Sequence, residues 1–237
     1  MPAPRLPSIP HPLIAEIFER RQVVDAAGHA HPLHSAISIE YARALYGAVL
    51  AQRPRMVVEI GMAFGISTLA ILTALREIGA DGRLISIDPR QSTGFHGIGL
   101  ANVRRAGLEG RHELIEAFDY AALPRLLERD VKLQLAYVDG WHTFDYTLLD
   151  FFYLDKLLEP GGVIGFNDAG WRSVHKVLGF VRTHRKYREI DVGLARDFRG
   201  INPLGILSRW WTGRSHADRY FRKLEAWEPN WDFFARF

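Results

Sequence analysis

Apolar and polar positions along this chain alternate in blocks that predict strand and helix in turn. Met56 to Ile60 is a short, β-branched apolar run, the pattern of a strand buried on both faces. Ser67 and Thr68 then open a helical pattern through Leu69, Ile71, Leu72 and Leu75. The same sequence of events repeats downstream. Residues 83–88, 112–115, 133–138 and 163–166 read as strands. Between them, residues 100–106, 120–129 and 143–158 read as helices, the second interrupted near its start by Pro124. The third is stopped by Glu159-Pro160-Gly161-Gly162, and residues 171–183 form a helix after the last strand. Two weak strand patterns at 187–192 and 201–208 make an antiparallel edge pair.

Upstream, residues 13–24 have helical spacing. Residues 38–51 form a helix that Ser38 can cap, with Ile39, Ala42, Leu45, Tyr46 and Val49 on one face. Strands alternating with helices predict an α/β, doubly wound, Rossmann-like domain. The expected sheet is seven-stranded and mostly parallel, with helices on both faces and an antiparallel last strand. The division is an N-terminal extension at 1–37, the domain at 38–208 and an aromatic tail at 209–237. That tail carries Trp210, Trp211, Tyr220, Phe221, Trp227, Trp231, Phe233, Phe234 and Phe237. Its rings must bury across the domain, over an acceptor site or against a second copy, and a homodimer is expected.

Composition sets outer bounds. The 237 residues give ample chain for a core, and 48% hydrophobic with 24% charged residues is ordinary for a globular protein. A formal charge of +3 does not argue for a nucleic-acid partner. Without cysteine there is no disulfide, thiolate nucleophile or zinc-thiolate site. No apolar run is long enough to span a membrane, so a cytoplasmic protein without membrane partners is expected. The five prolines within residues 1–12 predict a mobile start.

The turn after the first parallel strand narrows the ligand. Dinucleotide sites read G-x-G-x-x-G, because a pyrophosphate must approach the backbone and a helix N-terminus. Here Glu59-x-Gly61-x-x-x-Gly65 has Ala63 at the middle position and bulky Ile66 after the last glycine. A carboxylate at the strand end opposes phosphate and suits a cation. Asp88 ends the next strand, where a carboxylate accepts bonds from both hydroxyls of a ribose or caps the following helix. Asp139 and the pair Asn167-Asp168 end two further strands. In a parallel sheet all these groups reach one edge, where ligands bind. Residues 91–99 form either a lid or a long connection. His29, His31 and His34 are loop polar groups or substrate contacts, with a metal site as the alternative. The basic run at 182–188 reads as a solvated helix end, with anion binding as the alternative.

The stretches VVEIGMAFGIS, LISIDPRQ, GLANVRRAGL, HELIEAFDYAALP, AYVDGWHTFDYTLLDF and LLEPGGVIGFNDA together resemble class I S-adenosylmethionine-dependent methyltransferases. The Asp-Gly-x-His and Leu-x-Pro-Gly-Gly elements are similar to those of bacterial small-molecule O-methyltransferases. The resemblance implies S-adenosylmethionine as cofactor, with Glu59, Gly61, Ala63, Gly65 and Ser67 on its methionine and ribose side. It places Asp88 at the ribose, Ala117 and Phe118 around adenine, and Asp139 near the reacting end. Phe118 departs from a family pattern in which an acid holds the adenine amino group, so stacking or backbone bonds must serve.

A sulfonium methyl is already activated, so the protein must align an acceptor hydroxyl and remove its proton. Two devices are open. Asp139, Asn167 and Asp168 resemble a metal set that would hold Mg²⁺ or another divalent cation. His142, three residues past Asp139, could act as base. Trp171, His175 and Tyr146 could flank the acceptor. The expected activity is methylation of a hydroxyl on a small-molecule acceptor. A nucleic-acid or protein methyltransferase, a non-catalytic S-adenosylmethionine-binding protein and a nicotinamide dehydrogenase are the competing readings.

Overall fold

The computed structural model describes residues 6–79, 81–195 and 215–237. Its centre is the strand β3, Met56–Ile60, bonded in parallel to β4 (Arg83–Ile87) on one side and to β6 (Leu133–Val138) on the other. With β1 (Gln22–Val24), β2 (Ala30–Pro32), β5 (His112–Ile115), β7 (Leu158–Phe166), β8 (Tyr187–Ile190) and β9 (Arg219–Lys223), the chain forms a hairpin and a large sheet. The large sheet has seven strands in the order β5-β4-β3-β6-β7-β9-β8, and β9 is antiparallel to both neighbours. The order reverses between β3 and β6, and this switch point opens a crevice at the carboxyl ends.

Alternation along the strands feeds two cores. Val57, Leu84, Leu135 and Tyr137 face one side, packed by α1 (Pro12–Arg20), α2 (Ile39–Gln52), α3 (Ile66–Ile78) and α4 (Ile98–Arg105). Val58, Ile60, Ile85, Ala136 and Val138 face the other, under α5 (Asp119–Glu128), α6 (Phe144–Leu157) and α7 (Arg172–His184). Because both faces are covered, the central strands read as continuous apolar runs. Ser38 caps α2 by accepting the Tyr41 N–H at 3.2 Å.

Several expectations are corrected. The helical spacing of 13–24 ends at Arg20, because Arg21 takes a left-handed conformation (φ 51°) and β-branched Val23 and Val24 pair with β2. The histidine loop is the second arm of this hairpin: His29 Nδ1 and His31 Nε2 both lie against Asp25 Oδ2, at 3.2 and 3.0 Å. Pro124 does not interrupt its helix; α5 runs through it, although the ring leaves Tyr120 O without its i+4 amide donor. The Glu159-Pro160-Gly161-Gly162 stop does end the helix, at Leu157, but the strand after it starts at Leu158 rather than 163, irregularly, with a register shift against β6 between Leu133 and Leu135.

The edge pair is also redrawn. Residues 201–208, with Trp210 and Trp211, lie outside the described residues. The strand beside β8 is β9, drawn from the stretch read as a tail, and it buries Tyr220 and Phe221 in the sheet. Arg185 of the basic run is not solvated; it forms a buried ion pair with Asp155 at 2.9 Å. Beyond β9 the tail folds onto α7, where Phe180, Phe233 and Phe237 surround His184, while Trp231 stays 98% exposed.

Candidate active site

The backbone ladder continues one residue past each central strand. Gly61 N–H donates to Ile87 O, Asp139 N–H to Ile60 O, Asn167 N–H to Val138 O, and Asp88 N–H to Ile115 O, at 2.8 to 3.2 Å. These bonds hold the four strand ends level at one edge, as the sequence predicts. Gly61 is required there: its φ is 86°, and an added Cβ would lie 2.1 Å from Asp139 O. Ala63 (φ 45°) and Asp168 (φ 49°) are left-handed without being glycine, a strained conformation found disproportionately at functional sites.

Above this edge lies a cavity of about 520 Å³. Of the expected residues, Gly61, Ala63, Ser67, Asp88, Phe118, Asp139, His142, Asn167 and Asp168 line it. Trp171 and Tyr146 do so too, while Gly65, Ala117 and His175 are not on its wall. Glu59 is not on the wall either, and its placement is corrected. It is fully buried beneath the turn, where Oε2 accepts from Thr68 Oγ1 and Ser86 Oγ at 2.7 Å each. Burial pushes its carboxyl up to about 7, against the opposing pull of these hydroxyls. Glu59 therefore ties β3 to β4 and α3.

Asp88 shapes the turn as well as the wall. Its Oδ2 accepts from Met62 N, Ala63 N and Gln91 Nε2 at 3.0, 2.8 and 3.1 Å, and its Oδ1 from Arg90 N at 2.8 Å. A carboxylate has about four acceptor sites, so Oδ1 keeps a lone pair. The loop at 91–99 is anchored rather than free, because Gln91 is fully buried and also donates to Ala63 O at 2.7 Å.

At the other end of the cavity, His142 Nε2 stands 3.3 Å from Asp168 Oδ2, 3.4 Å from Asn167 Oδ1 and 3.7 Å from Asp139 Oδ1. The imidazole thus occupies the space the three oxygen ligands would share around an ion. Among the described residues no group of three or more histidine, aspartate or glutamate side chains is arranged to hold a metal, and what the expected oxygen ligands face here is the His142 imidazole. These acceptors select the tautomer protonated on Nε2 and leave Nδ1 as the basic nitrogen. Asn167 is oriented from behind, since its Nδ2 donates to Asp218 Oδ1 at 3.0 Å while Tyr137 Oη donates to Asp218 Oδ2 at 2.7 Å. Burial pushes Asp218 up to about 7 and, with the charges of Asp218 and Asp168, raises Asp139 well above its ordinary range.

Sequence reasoning missed Asp218, and it put Asp119 at the expected adenine edge without giving it a role. Asp119 lines the cavity next to Phe118, one residue past the position where an acid is expected, and begins α5. Its adjacency to Phe118 was the available signal. Asp218 sits 51 residues from Asn167 in a stretch read as tail, and nothing local marks it.

Residues 58–169 match the family model described as a methyltransferase domain. No curated protein sequence matches the chain. Among solved structures, the O-methyltransferase from Bacillus cereus in complex with SAH superimposes with a TM-score of 0.67 at 16% identity, covering 90% of this chain and 91% of that one. The O-methyltransferase TomG from Streptomyces achromogenes, involved in tomaymycin synthesis and in complex with SAM, gives 0.62 at 18%, covering 80% and 82%. At such identities the likeness is one of fold. Residues 58–169 are thus similar to the methyltransferase-domain family, and the strand order and the superpositions show that the chain shares the fold of these methyltransferases.

Proposed function

We propose that this protein is an S-adenosylmethionine-dependent O-methyltransferase acting on a small-molecule hydroxyl. The observation that carries the reading is the charge of the cavity. Asp88, Asp119 and Asp168 line it, against one arginine, Arg90, and His142, while Asp139 beside them is held toward its neutral form. Such a wall repels a pyrophosphate and attracts a sulfonium and an ammonium group. The residues fit the cofactor in other respects: Asp88 Oδ1 retains an acceptor site for a ribose hydroxyl, and Phe118 offers a half-exposed ring face for adenine. The first turn of α3 supplies backbone N–H donors for a carboxylate, while the Ser67 hydroxyl there bonds Glu59.

When bound, S-adenosylmethionine supplies a methyl group already activated for transfer. The chain has then to orient the acceptor and accept its proton. His142 Nδ1 takes the hydroxyl proton, and Asp168 and Asn167 hold the ring through Nε2 and stabilise the imidazolium that forms.

Calorimetry with S-adenosylmethionine and with NAD tests the pocket, alongside Asp88→Asn, which removes the charge and one of the two acceptor oxygens and whose fold is checked by its thermal melt. Micromolar S-adenosylmethionine affinity, weakened by Asp88→Asn, with no NAD binding supports it. For the chemistry, His142→Gln is expected to lower kcat by roughly 10²- to 10⁴-fold without changing cofactor affinity. Full activity after chelation of divalent cations supports the histidine device, and loss restored by Mg²⁺ overturns it.

A further inference from the structure

We propose that the open groove beside His142 is the acceptor site and that it takes an uncharged aryl ring bearing the hydroxyl. This rests on the methyltransferase reading above and adds the class of its second substrate. The groove is lined by Trp141, His142, Thr143, Phe144, Trp171 and Ser173. It joins the deeper cavity, because Gly140, Trp141, His142 and Trp171 belong to both walls. His142 therefore stands between the two, where a group handling an acceptor proton must be.

The lining selects the ligand. Trp141 and Trp171 are 59% and 52% exposed and Phe144 39%, an unusual cost unless a ring covers them. The Trp171 ring already sits 5.3 Å from the His142 ring, so a flat guest against Trp171 brings a ring substituent to the imidazole. No lysine or arginine is among the described residues of this wall, so an anionic acceptor would lose solvation without gaining a cationic partner. The two hydroxyls are already engaged: Ser173 Oγ donates to His142 O at 2.5 Å, and Thr143 bonds the Asp145 carboxylate. A polyol would find few hydrogen-bond partners, whereas an aryl ring needs only faces and one base. In the step itself, the aryl oxygen forms a bond to the methyl carbon while the S–CH₃ bond breaks. The bond pair returns to sulfur, and the hydroxyl proton passes to His142.

The test reads binding by tryptophan fluorescence and calorimetry on the full chain, with and without S-adenosylmethionine. The probes are 4-methylcatechol, its carboxylated counterpart 3,4-dihydroxybenzoate, and methyl glucoside. The expected result is 4-methylcatechol bound at least tenfold tighter than either other probe. Phe144→Lys, which alters only the groove, should reverse the preference toward the carboxylate while S-adenosylmethionine affinity stays within twofold. Equal or tighter binding of the glucoside or the carboxylate overturns the proposal, as does absence of catechol binding at millimolar concentration. Because aryl binding is also read without cofactor, failure to bind S-adenosylmethionine sinks the methyltransferase reading separately from the ligand class.

Discussion

Asn167 Nδ2 donates to Asp218 Oδ1 at 3.0 Å, so a residue from the far end of the chain sets which way the amide beside His142 faces. With Asp218 fixed as acceptor, Asn167 must present its oxygen to the imidazole. Asp218→Ala leaves Asn167 Nδ2 and Tyr137 Oη buried without their acceptor. The expected loss is about 1–3 kcal/mol of stability, offset in part by removing a buried carboxyl. Turnover should fall with it, since the Asn167 oxygen is then free to rotate away. Denaturant titration together with kcat reads both effects, and unchanged values of both would show that Asp218 orients nothing.

The approach of β3 to β6 at Gly61 makes a sharp comparison with Gly79. Both have positive φ, 86° and 72°. At Gly61 an added Cβ meets backbone 2.1 Å away, whereas at Gly79 it meets nothing within 4 Å. Gly79→Ala should cost about 1 kcal/mol, the left-handed penalty alone. Gly61→Ala should cost several times that and abolish cofactor binding, because the strand ends must part. Thermal melts of the two variants decide it, and equal losses would contradict the packing.

Glu59 provides a pH signature. Its folded value is raised to about 7 from 4.5, with burial as the main cause. A raised acid binds its proton more tightly in the folded state, so its contribution is fully present below pH 4.5 and is lost as pH rises toward 7. Glu59→Gln keeps an oxygen for Thr68 and Ser86 but cannot ionise. Wild type should therefore lose stability relative to this variant by roughly 3 kcal/mol across that window. Parallel pH profiles for the two proteins would rule the effect out.

His184 fastens the C-terminal segment. Its Nε2 accepts the Ala235 N–H at 3.2 Å, which requires a neutral ring. Burial, then the charge of Arg185, lowers its pKa from the ordinary 6.5. The contribution is present above pH 6.5 and lost as pH falls through the lowered folded value. Hydrogen exchange at 230–237 should speed up in mild acid while β3 stays protected. Exchange in both regions rising together would show that the segment has no separate latch.

The sequence by itself determined the layered α/β order, the five parallel strands and the polar ends of β4, β6 and β7. Each depends on a local rule: period-two or period-3.6 burial, and the obligation of a parallel strand to deliver its last residue to the ligand edge. Gly61, Asp88, Asp139 and Asn167 were legible at that edge for that reason. Tertiary structure alone decided what those side chains face. Glu59 and Asp88 are both acids at strand ends, yet one is enclosed beneath the turn and the other on the cavity wall. Whether Asp139, Asn167 and Asp168 surround a cation or an imidazole depends on where the loop after β6 returns His142. β9 and Asp218 come from a stretch with no strand periodicity of its own. Their place depends on the open edge of β7 needing a hydrogen-bonded partner, a demand that exists only once the rest of the sheet has formed.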